Sequence, residues 1–208
     1  MSTLSFNQIT KRFGSLTAND SITLSLGDSE IMALLGENGA GKTTLMNILF
    51  GHYVADEGSI EIDGQMLPPG STEAAIKAGV GMVHQHFTLA DNLTVIENIV
   101  LGTESLWNWR QDMTAARRKL VDMSEAYSLV INPDALVADL SVGERQRVEI
   151  MKALYRDARI LILDEPTAVL TPQETENLFI TLRSLTDKGL SVIFISHKLH
   201  EILAISDH

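Results

Sequence analysis

Residues 3–27 alternate loosely between apolar and polar positions, with Gly14 and Gly27 as breaks, and predict short antiparallel strands. The apolar run Ile31 to Leu35 follows, then a glycine-rich turn, then apolar positions at helical spacing from Leu45 to Phe50 until Gly51 stops them. Gly58 to Gly64 alternates as a strand that turns at Asp63-Gly64, and Pro68-Pro69-Gly70 connects it to a short helix, Ser71 to Ala78, closed by Gly79. Val80 to Val83 is a short buried strand. Residues 92–155 read as mostly helical: Asn92 to Leu101, Met113 to Tyr127, a break at Asn132-Pro133-Asp134, and a third helix from Ser141 on which Val148, Met151, Leu154 and Tyr155 share a face. Ile160 to Leu163 is uninterrupted apolar, the pattern of a strand buried on both sides. Thr171-Pro172-Gln173-Glu174 starts a helix striped by Leu178, Phe179, Leu182 and Leu185 and ended by Gly189, and Leu190 to Ile195 is the last strand. Strands alternating with helices in this way predict an α/β fold with a mainly parallel core sheet, an N-terminal antiparallel β lobe and an inserted α-helical subdomain.

The chemistry collects at the strand ends. Gly36-Glu37-Asn38-Gly39-Ala40-Gly41-Lys42-Thr43, with Thr44 after it, lies between the Ile31 strand and the Leu45 helix, and fits G-x-x-x-x-G-K-[ST]. Glycines let successive N–H groups point inward, the helix N-terminus adds positive potential, Lys42 supplies a mobile cation, and the Thr43 hydroxyl suits Mg²⁺. This is a phosphate-binding loop, which makes the fold class a P-loop NTPase. Asp164 and Glu165 end the buried strand, where ligands gather in parallel sheets, and two adjacent acids there call for a cation or a proton to move. Asp164 suits the metal shell and Glu165 the polarising of an attacking water. Ser196-His197 ends the last strand, so His197 is placed to position water or to bridge to Glu165.

Other positions leave two readings open. Phe13 beside Gly14 either packs in its strand or stacks on a nucleotide base. Ser141 caps its helix reciprocally with Glu144, and that N-terminus is also an anion site. His84 and His86 have metal-ligand spacing but no third ligand nearby. Glu104 to Asp112, with Trp107 and Trp109, is an insertion whose indoles either pack locally or meet another protein.

Composition narrows the class. The chain has 208 residues, 45% of them hydrophobic, and fits one domain or one with a subdomain. Its longest apolar runs are too short to span a membrane and no signal pattern opens it, so a soluble chain is expected. Six histidines and no cysteine exclude disulfides and thiolate metal sites. A net charge of −11 argues against a nucleic-acid partner, and the clusters Lys11-Arg12 and Arg117-Arg118-Lys119 are too small to grip a polyanion.

Taken together, the phosphate loop, Gln85 after a strand, Leu140-Ser141-Val142-Gly143-Glu144, Asp164-Glu165 and His197 resemble in order and spacing the nucleotide-binding domain of ABC transporters. The resemblance covers nearly the whole chain. It implies one ABC ATP-binding domain over 1–208, with 1–30 and 55–66 as the β lobe, 92–155 as the helical subdomain and 31–54, 67–91 and 156–208 as the core. It implies ATP and Mg²⁺ as cofactors: Phe13 on adenine, Gly36, Glu37, Asn38, Gly39, Ala40, Gly41, Lys42, Thr43 and Thr44 on the phosphates, and Thr43, Gln85 and Asp164 around Mg²⁺. Lys42, Gln85, Glu165 and His197 would be catalytic, with Glu165 as general base and His197 on the γ-phosphate. Ser141 and Gly143 would complete the site of a second nucleotide-binding domain, held head to tail.

The stretches Val83 to Phe87, Asn92 to Gly102 and Glu165 to Glu174 resemble the simple-sugar and nucleoside import branch. There the ATPase carries two tandem domains, of which this would be the first, truncated soon after His197. The implied partners are membrane permeases and, indirectly, an extracytoplasmic substrate-binding protein, at the cytoplasmic face of the membrane. The signature departs from Leu-Ser-Gly-Gly-Gln at Val142 and Glu144, and Thr171 stands where Asp is common; Glu144 brings a negative charge toward a partner's triphosphate. The alternatives are a soluble ABC ATPase acting outside transport and a nucleotide-binding half-site with little hydrolysis.

Overall fold

The computed structural model describes residues 2–85, 87–101 and 113–207. The expectations for His86 and for Glu104 to Asp112, with both tryptophans, lie outside these residues. The first sheet is antiparallel, in the order β2-β1-β4-β5: β1 (Ser2–Phe13) and β2 (Leu16–Gly27), joined through Gly14, with β4 (Glu57–Ile62) and the two-residue β5 (Gln65–Met66). The expected short strands are instead two strands of twelve residues. Register shifts between Phe6 and Ile9 on β1 interrupt their pairing, and Gln8 and Ser21 take positive φ of 52° and 50°. Each irregularity switches which face the next side chain enters, so the period-two pattern blurs. The Asp63-Gly64 turn is as read, with φ of 51° and 73°, the left-handed pair of a tight hairpin.

The second sheet is parallel, in the order β3-β8-β7-β6: β3 (Ile31–Leu35), β8 (Ser191–Ser196), β7 (Ile160–Asp164) and β6 (Val80–Val83). Every residue of β7 and β8 is buried. Ile160, Ile162, Ile193 and Ile195 face one core with β1, β4, α1 (Lys42–Leu49) and α2 (Thr72–Lys77). Leu161, Leu163, Val192 and Phe194 face the other with α3 (Val95–Val100), α4 (Met113–Tyr127), α5 (Val142–Tyr155) and α6 (Pro172–Thr186). The continuous apolar run thus serves two cores at once.

Capping chemistry sets the helix starts. Ser71, Thr94, Ser141 and Thr171 each accept from an N–H three residues on, and the last three form reciprocal boxes with Glu97, Glu144 and Glu174. Thr94 moves the start of α3 from the expected Asn92 to Val95. A final helix, α7 (Leu199–Ile205), follows β8 without having been read from the sequence.

Strand order positions the site. Leu35 pairs with Ser196 and Asp164 with Ile195, while Val83 pairs with Leu163, so four neighbouring strands end on one edge. The glycine-rich loop, His197, the acid pair and Gln85 each follow one of those ends.

Candidate nucleotide-binding site

The glycine-rich loop turns from β3 into α1 with Gly39 and Gly41 both at φ +87°. At Gly41 glycine is obligatory twice over: a Cβ there would stand 2.1 Å from the Ala18 carbonyl oxygen, and the φ disfavours side chains. The β lobe therefore presses on the loop, and Asn19 Nδ2 donates to the Gly41 carbonyl at 3.2 Å. No side-chain acceptor caps α1 and no acid lies in its first turn, so its N-terminus keeps its positive potential. Lys42 Nζ donates to the carbonyls of Gly36, at 2.5 Å, and Glu37, at 2.9 Å.

Across from the loop stands the acid pair. Asp164 is 7% exposed; burial pushes its carboxyl up from the ordinary range, against a hydrogen bond from the Thr43 hydroxyl and the nearby charge of Lys42. Glu165 adopts a left-handed φ of 48°, uncommon for a residue with a Cβ, and its N–H donates to Ile195 O at 3.0 Å. His197 Nδ1 lies 3.1 Å from Glu165 Oε1, with the histidine side chain 46% exposed and the glutamate 14%. The bridge between the two strand ends is made.

An open cleft of about 440 Å³ runs between these groups, lined by Asn38 to Thr44, Gln85, Asp164 and Glu165, with Phe13, Leu16 and Ala18 at the lobe side. Phe13 is 43% exposed and meets Tyr53 edge-on at 5.5 Å between ring centres, so it is a surface ring at the mouth of the cleft. Gly36 and Glu37 do not line the cleft and instead hold Lys42. His84 stacks against His52 with ring centres 6.3 Å apart, and burial with that neighbouring ring keeps its pKa below the usual value.

Ser141 and Gly143 are not in this cleft. Ser141 Oγ accepts from Glu144 N while Glu144 Oε2 accepts from Ser141 N at 2.8 Å. The N–H of Gly143 donates to Glu174 Oε1 at 3.2 Å, and Glu174 Oε2 also takes the N–H and hydroxyl of Thr171. A Cβ on Gly143 would stand 2.8 Å from Glu174 Oε1. Two carboxylates thus occupy the start of α5.

The sequence profile of the ABC transporter family matches residues 19–168, most of the chain. The chain belongs to the ABC transporter family. This ABC chain is 52% identical over 199 residues to a nucleoside import ATP-binding protein of Lactococcus lactis, a match that covers 96% of the chain and 39% of the relative. It is 46% identical to a glucose import ATP-binding protein of Haloferax volcanii, covering 98% of the chain and 42% of that relative. The chain thus spans about two fifths of the curated relatives it matches. An ATP-binding cassette of an ABC transporter, crystallised in its ADP conformation, superposes over 100% of the chain and 85% of its own with a TM-score of 0.89 at 27% identity. The P-loop fold expected from the sequence is confirmed by that likeness.

The cassette's residues fit a hard cation. Asp164 is a buried carboxylate with a threonine hydroxyl bonded to it, and oxygen donors of this kind suit Mg²⁺. Among the described residues no three His, Cys, Asp or Glu side chains form a metal cage. Leu16, Ala18, Asn19 and Tyr53 were missed from the sequence. Leu16 was within reach, since Phe13 and Leu16 pair across the Gly14 turn and share the cleft mouth. Ala18 and Asn19 carry no signal, because only the packing of the lobe brings them to Gly41.

Proposed function

We propose that the chain is an ATP-binding and ATP-hydrolysing domain that powers import of a simple sugar or a nucleoside. One observation carries the reading: a helix start with Lys42 and Thr43 faces Asp164 and Glu165 across an open cleft, with His197 already bridged to Glu165. Names of close relatives, nucleoside and glucose import ATP-binding proteins among them, support the cargo class.

In this reading Gly39 to Thr44 and Lys42 hold the triphosphate, Phe13 stacks on adenine, and Glu165 accepts the proton of a water as its oxygen bonds to the γ-phosphorus and the β–γ bridge breaks, giving ADP and phosphate. Thr43, Asp164 and Gln85 would hold Mg²⁺, which would supply neutralising charge for the phosphates. His197 orients Glu165 and the γ-phosphate. Ser141 and Gly143 act on the nucleotide of a second domain, head to tail, in the same polypeptide. The partners are membrane permeases, docked on the Gln85 loop and on α3 and α4 within residues 92–127, and beyond them an extracytoplasmic binding protein. The proposed place is the cytoplasmic face of the membrane; no helix among the described residues is long and apolar enough to cross it.

A second reading, a half-site that hydrolyses little, is favoured by the two carboxylates at the start of α5. The deciding experiment is Mg²⁺-ATP turnover against enzyme concentration with Glu165→Gln beside it. Turnover that rises faster than linearly and falls at least about a hundredfold in Glu165→Gln supports hydrolysis in a transient pair. ATP binding with no turnover, even with the second domain added, supports the half-site.

A further inference from the structure

The bridge between His197 and Glu165 joins two chain segments at the ends of different strands, and the histidine is half exposed, so packing alone does not fix it. Besides the Glu165 N–H bond to Ile195 O, a second tie between the segments lies one layer below, on α7. Glu201 is 3% exposed, and its Oε2 accepts from Thr167 Oγ1 at 2.7 Å and from Ser196 Oγ at 2.8 Å. Its Oε1 accepts from Lys198 Nζ at 2.9 Å, and the same ammonium reaches Thr167 O at 3.4 Å. Lys198 N also donates to Ser196 Oγ at 3.1 Å. Thr167 and Ser196 are each 2% exposed.

The placement of these partners is informative. Thr167 lies two residues past Glu165, and Ser196 and Lys198 flank His197 on both sides. A single buried carboxylate therefore ties down the segment carrying the proposed base and both neighbours of the histidine. Burying a charge is costly, and an apolar side chain would fill the same space without that cost. An apolar side chain would not, however, hold three separate donors at fixed distances. Burial raises the Glu201 carboxyl, but the hydrogen bonds from Thr167, Lys198 and Ser196 outweigh it, leaving the group below its ordinary value and ionised at neutral pH.

We propose that Glu201 is a positioning residue: by clamping Thr167, Ser196 and Lys198 it sets the register of Glu165 against His197. The inference rests on the hydrolytic reading above for its kinetic consequence, while its structural consequence is independent of turnover. Substitutions that keep the fold but loosen the clamp alter the chemical step and the histidine's bonding, and leave nucleotide binding alone, because none of the clamped residues lines the cleft.

The test combines three readouts on Glu201→Gln, Glu201→Asp and Ser196→Ala: kcat, ATP affinity, and the imidazole ¹⁵N signals of His197, assigned by its loss in His197→Gln. In Glu201→Gln, kcat is expected to fall about tenfold or more, ATP affinity to stay within about twofold, and the His197 Nδ1 signal to move. Ser196→Ala removes one donor and leaves the ion pair with Lys198, so it gives a smaller change in the same direction and remains informative if Glu201→Gln does not fold. Combining Glu201→Gln with Thr167→Val is expected to cost less than the sum of the two, since both loosen one clamp. Unchanged His197 signals in folded Glu201→Gln and Ser196→Ala overturn the proposal, as does a kcat loss matched by an equal loss of ATP affinity or of folded protein. If the wild-type protein binds ATP and does not turn it over even with the second domain added, hydrolysis fails as the reading, and the His197 signals alone decide the positioning role.

Discussion

Two helix N-termini in this chain were both read as anion sites, and the structure treats them oppositely. The start of α1 has no side-chain cap and no acid in its first turn, and Lys42 stands beside it. The start of α5 is filled from within, by Glu144 through a capping box and by Glu174 from a neighbouring helix. A helix start is available to a ligand only where the chain declines to satisfy it. The first is left open to an outside anion; the second must shed or share a carboxylate before it can meet one.

The sharpest way to break the contrast is at Lys42. Lys42→Ala removes a charged donor at the open site, for which about 2–3 kcal/mol of ATP binding, roughly a hundredfold in Kd, is the expected loss. Isothermal titration against ATP checks it, and a Kd within threefold of wild type would show that the loop alone carries the triphosphate. Ser141→Ala strikes the filled site, where the cap should be worth about 1 kcal/mol, or roughly 2–4 °C in Tm. ATP affinity of the chain should not move, because Ser141 lies outside the cleft.

The smallest effect concerns pH. Hydrogen bonds from the Ser141 N–H and hydroxyl hold the Glu144 carboxyl below its ordinary 4.5, and those of Thr171, with the Gly143 N–H, do the same for Glu174. A depressed carboxyl adds stability that is complete above its unfolded value and is lost as pH falls through the lower, folded one. Thermal melts of Glu144→Gln/Glu174→Gln should therefore flatten the acid limb below pH 4.5 and leave the slope above pH 6 as it was. An acid limb identical to wild type would mean that these exposed caps contribute nothing measurable.

The contrast also shows what a sequence discloses. Ser141 with Glu144, and Thr171 with Glu174, are local pairs three residues apart, and both were legible with their helix starts. The Thr94 and Glu97 pair has the same form and was overlooked, which placed α3 three residues early. Glycine spacing and a buried strand ending in two acids located the glycine-rich turn into α1 and the strand end that carries Asp164-Glu165, because each depends on its immediate neighbours. The grip of Glu174 on Gly143, the pressure of Ala18 on Gly41 and the contacts of Glu201 join elements distant in sequence. Nothing periodic encodes them.

The order β3-β8-β7-β6 has a consequence for how the molecule comes to be. β8 is the last of these four strands to be synthesised, yet it is inserted between β3 and β7. Until it enters, the loop after β3 and the acids after β7 lack the strand that spaces them, at about 4.8 Å per neighbour. Half-folded chains therefore own the motif but not the cleft. Nucleotide at about a hundred times its Kd would add roughly 2.7 kcal/mol to the completed fold alone. An ATP-bound chain would thus be one whose central strand is already in place.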